Sequence, residues 1–120
     1  MSDNLDNIFA RLKNILKRYE LVLRIEQDTE DGYSLNAPVL GPNNKPLFFG
    51  AAQIKKNYVS FYLMPVYMYP DLLDGISEQL KRRMQGKSCF NFKTLDESLM
   101  EELSTLTQRS FERLQQEEMG

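Results

Sequence analysis

Apolar positions recur at helical spacing from the start of the chain. Leu5, Ile8, Phe9, Leu12, Ile15, Leu16 and Tyr19 form one stripe, with Arg11, Lys13, Asn14, Lys17 and Arg18 mostly off it. The spacing predicts a helix over about residues 4–19, capped by Ser2 or Asp3. The period then shortens to two. Leu21, Leu23 and Ile25 alternate with polar neighbours, an acidic turn Asp28-Thr29-Glu30-Asp31-Gly32 follows, and Tyr33, Leu35 and Ala37 alternate again. This reads as a hairpin. Gly41-Pro42-Asn43-Asn44-Lys45-Pro46 is dense in turn formers and separates it from a third strand at 47–54, where Gly50 and the alanines suit close packing by another layer. Lys55-Lys56-Asn57 predicts a tight turn into a strand at 58–64. Val59, Phe61 and Leu63 share one face of it; Tyr58, Ser60, Tyr62 and Met64 share the other.

Pro65 is expected to end that strand and Pro70 to open a helix. Leu72, Leu73, Ile76, Leu80 and Met84 would be its inner stripe, Lys81, Arg82 and Arg83 its last turn, and Gly86 its stop. A short strand, Cys89-Phe90-Asn91-Phe92, precedes a capping-box pattern running from Thr94 to Glu97 and a final helix at about 96–116. The order is α-β-β-β-β-α-β-α. Short connections among the first four strands favour antiparallel pairing. The fold class is therefore α+β: an antiparallel sheet packed on one face by helices, a two-layer sandwich in a single domain over 1–120, with 1–3 and 117–120 frayed.

Composition narrows the chemistry. The chain has 120 residues, a net charge of −2, one cysteine and no histidine. Histidine-based catalytic triads and the commonest transition-metal ligand are excluded, and Cys89 has no internal disulfide partner. Mixed charge along the chain gives no concentrated basic face, which argues against nucleic acid as a partner while leaving room for one local basic pocket. The N-terminus lacks the apolar core of a signal peptide and no run reaches membrane-span length, so a cytoplasmic location is expected.

Gly86-Lys87-Ser88 matches the end of a nucleotide-binding P-loop, but the motif fails twice. Lys81 stands where the first glycine belongs, and the order is helix-loop-strand rather than strand-loop-helix. Lys87, Ser88 and nearby amides can still form a small anion nest; the alternative is a helix stop and a solvated lysine. Cys89 beside Lys87 reads either as a thiol with a lowered pKa or as a small core residue. Tyr58, Tyr62, Tyr67 and Tyr69 offer amphipathic contact area for a ligand, a protein partner or a homodimer, or simply suit a half-exposed sheet. Asp96, Glu97, Glu101 and Glu102 are explained by the helix dipole. Glu26, Asp28, Glu30 and Asp31 surround a turn, lack calcium-loop spacing, and are the alternative metal ligands.

"IKKNYVSFYLMP" (54–65), the segment after "YMYP" and "GKSCFNFKTL" (86–95) resemble the YdhG-like domain family of small bacterial proteins. The resemblance spans roughly residues 5–115. It implies an α+β fold with an antiparallel sheet and marks Lys56, Gly86, Lys87 and Ser88 as family-motif positions. Some members are described as frataxin-like iron chaperones, which implies carboxylate ligands on the first helix; here Asp3 and Asp6 are followed by Arg11, Lys13, Lys17 and Arg18.

The resulting expectation is a non-enzymatic binding module without a cofactor, not bound to membrane. Its groove would lie between the 55–58 hairpin, the tyrosine loop and the GKSC turn. Tyr62, Tyr67 and Tyr69 would supply contact area, and Lys56, Lys87 and Ser88 would orient a small polar or anionic ligand.

Overall fold

The computed structural model describes residues 4–119. Helix α1 (Leu5–Lys17) is capped by Asn4, whose side-chain oxygen accepts from the Asp6 amide at 2.7 Å. Ser2 and Asp3 lie outside the described residues. The helix ends two residues before the predicted limit. The chain tightens through 18–22, where Tyr19 and Glu20 amides donate to carbonyls three residues back. This turn overrules the alternation read at Leu21: Leu23 is buried, but Leu21 is 98% exposed.

Five strands follow the predicted order: β1 (Arg24–Asp28), β2 (Gly32–Leu40), β3 (Pro46–Ile54), β4 (Val59–Leu63) and, later, β5 (Cys89–Phe92). They form one antiparallel sheet in sequence order, so each strand pairs with its chain neighbour. Between β4 and β5 run α2 (Met64–Met68), a 3₁₀ turn (Pro70–Leu73) and α3 (Glu78–Lys81); α4 (Glu97–Glu118) closes the chain. The last helix thus extends to Glu118, two residues beyond the limit of about 116 expected from the spacing.

Register assigns the faces. Tyr33, Ala52, Phe61 and Phe90 lie side by side across four strands, all buried, and the Lys13 ammonium of α1 sits 5.2 Å from the Tyr33 ring. That is the face the helices cover. At Gly50 α1 comes so close that an added Cβ would stand 3.1 Å from Leu16 Cδ2 and 3.0 Å from the Tyr62 carbonyl. Register slips between Leu35–Gly50 and Asn36–Phe48, which leaves Phe49 as the extra residue of a bulge. Its ring meets Tyr19, just past the end of α1 (5.9 Å, tilted), and the edge of Phe111 of α4 (6.0 Å), and those two rings also touch (4.8 Å), so the aromatic trio ties the end of α1 and α4 to the sheet. The opposite face carries Ser34, Ala51, Tyr62 and Cys89 in one row and Gln53, Ser60 and Asn91 in the next.

The segment after β4 departs from expectation. β4 ends at Leu63 ahead of Pro65, as expected, but the chain passes straight into α2, whose first turn holds Pro65 where a missing amide costs nothing. The single helix predicted from Pro70 to Met84 is broken by Gly75, whose φ of +84° no helix accommodates. Its apolar residues still point inward, with Leu72, Ile76 and Leu80 buried. Gly86 does not stop a helix either. Met84 bridges to Phe90, the Asn91 amide donates to the Arg83 carbonyl at 2.7 Å, and Gly86 (φ +85°) turns the chain back into β5. At α4 the cap is Asp96, which accepts from the Ser98 and Leu99 amides, rather than Thr94. Glu97 instead pairs with Arg11.

Candidate functional site

The turn 86–88 delivers Lys87 to the end of the sheet from which α2 departs. The Ser88 carbonyl accepts from the Leu63 amide at 2.9 Å, so the turn is pinned beside α2. The Lys87 ammonium lies 5.9 Å from the centroid of the Tyr67 ring, within cation–π range. Tyr67 is 55% exposed, the most exposed aromatic side chain among the described residues. Beneath the pair lies an open trough of about 600 Å³ walled by Val66, Pro70, Leu73 and Met84. A second trough of about 290 Å³ meets the other side of Tyr67, between Pro42, Leu47, Phe48, Met64 and Met68. Tyr67 is therefore a partition between two mostly apolar hollows, with one cation at the rim. Among the described residues no carboxylate forms an ion pair with Lys87.

The six residues predicted to share a groove are divided. Tyr67 and Lys87 meet; Ser88, next in the turn, accepts from the Leu63 amide through its carbonyl and does not line the trough. Tyr62 is on the uncovered sheet face, opposite Cys89 and Ala51. Tyr69 belongs to a seam with α4: its hydroxyl donates to Glu118 at 3.4 Å and the Arg113 guanidinium lies 4.7 Å from its ring. Burial, reinforced by Glu118 and Glu117, raises the Tyr69 pKa. Lys56 is at the tip of the β3–β4 hairpin, closed by a 2.8 Å bond from the Lys55 amide to the Tyr58 carbonyl. That tip is at the far end of β4, roughly 15 Å away along the strand.

The acidic quartet does not converge. Asp28 pairs with Lys13 at 2.8 Å, Glu26 accepts from Asn36 at 3.2 Å, and Asp31 accepts from Thr29 at 3.0 Å. Three of the four thus have separate partners, and Glu30 is exposed in the turn. Among the described residues no three Cys, Asp or Glu side chains gather as a metal site.

Cys89 packs on the uncovered face and donates weakly to Asn91 Oδ1 at 3.4 Å. Burial pushes its thiol pKa up, outweighing the opposing pull of Ser60, Lys55 and Tyr62. The P-loop likeness of 86–88 has no structural counterpart, because a strand and not a helix follows it.

No family model matches the chain, and no curated protein or solved structure matches it. The candidate site therefore stands on its own geometry. Its walls were the part sequence reasoning missed. Val66 and Met84 are spaced as core residues, and only the breaks at Gly75 and Gly86 turn Met84 toward the trough. The positive-φ glycines were the available signal. Among the described residues no helix is long and apolar enough to cross a membrane.

Proposed function

We propose that the chain is a non-catalytic binding module whose ligand lies in the Tyr67–Lys87 trough. The observation that carries this reading is the ammonium of Lys87 held 5.9 Å from the Tyr67 ring above an apolar hollow. Such a site accepts an apolar body on Val66, Leu73 and Met84 and one anionic group on Lys87. A partner of that chemistry is an amphipathic carboxylate, either a small molecule or the free C-terminus of a peptide. The raised pKa of Cys89 and the scattered carboxylates support binding over catalysis, since neither supplies an activated nucleophile or a paired acid and base. The motifs at 54–65 and 86–95 support placing the chain with the YdhG-like domain family, whose antiparallel α+β frame agrees with this one.

Calorimetry with decanoate tests the assignment. Tyr67→Ala should weaken binding about tenfold by removing the aromatic partition. Lys87→Ala should weaken it by a smaller factor, about two- to fivefold, because the lysine is exposed. Equal affinity in both variants and the unaltered chain would place the ligand elsewhere.

A further inference from the structure

The face of the sheet away from the helices has a composition that the linear sequence conceals. Its positions on β3, β4 and β5 are Ala51, Gln53, Ser60, Tyr62, Cys89 and Asn91, and none is acidic. Alternation adds Tyr58 before β4 and Lys93 after β5 to the same side. The Met84–Phe90 bridge sets the 83–85 segment beside β5, where Arg83, Met84 and Gln85 all border the same hollow.

At the β5 edge these residues form an open trough of about 520 Å³ bordered by Tyr58, Arg82, Arg83, Gln85, Asn91 and Lys93. Its floor is fixed. Asn91 accepts from Ser60 Oγ and donates to Gln85, each at 2.7 Å, while its amide holds the Arg83 carbonyl at 2.7 Å. Asp96, on which Arg83 acts only weakly, is engaged by Ser98 and the Leu99 amide as the cap of α4. Among the described residues Arg82, Arg83 and Lys93 form no ion pair.

We infer that this face binds single-stranded nucleic acid, with phosphates on Arg82, Arg83 and Lys93 and bases against Tyr58 and Tyr62. Charge complementarity selects a polyanion. The tyrosines and fixed amides interleaved with the cations select one that also presents flat rings and hydrogen-bonding edges. An acidic peptide would use only the cations. A duplex hides its base faces, and a flat sheet projects nothing into a groove. The net charge of −2 conceals the feature because the acidic residues are spread over the helices, β1 and the loops, with none on this face of β3, β4 or β5.

Fluorescence anisotropy with labelled single-stranded RNA of about twelve nucleotides tests the inference, with the full chain at low salt. Saturable binding is expected, weakening about tenfold or more between about 50 and 200 mM salt for three phosphate contacts. The double variant Arg83→Gln/Lys93→Gln should bind about tenfold more weakly with a flatter salt dependence, and Tyr58→Leu about fivefold more weakly with the slope kept. Circular dichroism must show each variant folded; Lys93→Gln alone, at an exposed position, provides the second check on the cation contribution. Tyr67→Ala should leave RNA binding unchanged, which separates this surface from the Tyr67–Lys87 trough. No binding at about 100 µM protein overturns the inference. So does equal displacement by poly-glutamate with Tyr58→Leu unaffected, which would mark an acidic-protein surface. A loss in Tyr67→Ala matching that of the double variant would also overturn it.

Discussion

Ser110 lies in the middle of α4 with no accessible surface, and its Oγ has no hydrogen-bond partner. A buried hydroxyl left unsatisfied costs about 1–3 kcal/mol, so Ser110→Ala should raise unfolding free energy by about 1 kcal/mol in a denaturant titration. Cys89 makes a second prediction at this scale. Its folded-state pKa is raised, chiefly by burial, so the folded chain keeps the thiol protonated where a free cysteine ionises. Iodoacetamide labelling should stay slow through neutral pH and accelerate only above the ordinary thiol value of about 8.5. The sign for stability follows. The contribution is whole below that value and is lost as pH rises through the higher folded pKa. Rapid labelling at pH 7 would revive a nucleophilic role. Both features depend on three-dimensional burial. A lone Cys on a strand reads first as a small core residue, with a nucleophile as the lesser alternative, and nothing in the spacing around Ser110 marks it as orphaned.

At the scale of elements, the sheet was legible and the segment between β4 and β5 was not. Alternation survives in β2 to β5 because each has one face under the helices. In 70–84 the apolar spacing of a continuous helix is present, but Gly75 divides it into a 3₁₀ turn and a helix of four residues each. Such short helices depend on tertiary ties. The principal tie is Glu102, read from sequence as a helix-dipole residue. Its carboxylate accepts from the Ser77 amide and hydroxyl, each at 2.6 Å, while Ser77 caps α3. Glu102→Ala should therefore destabilise the chain by about 2 kcal/mol, and Glu102→Gln by less, since one acceptor remains. Hydrogen exchange should localise the effect to 76–82. A loss spread evenly over α4 would mean that Glu102 supports only its own helix.

At the scale of the molecule, the two-layer α+β arrangement followed from element order and connection length, because a meander of short links leaves few alternatives. The candidate site was half legible. Tyr67 and Lys87 meet as expected because the 86–88 turn abuts α2, yet Lys56 and Tyr69 are sent to other parts of the surface by the length of β4 and by Arg113. Charge distribution was not legible. The cations read as helix-terminal complements at 82–83 lie beside β5 in three dimensions. The central claim concerns the Tyr67–Lys87 trough, and amide-detected NMR during a decanoate titration tests it most directly. Shifts concentrated at Val66, Leu73, Gly86 and Lys87, reached only at about tenfold higher decanoate in Tyr67→Ala, are the predicted result. Shifts centred on β1 and β2, or none at saturating decanoate, would contradict it.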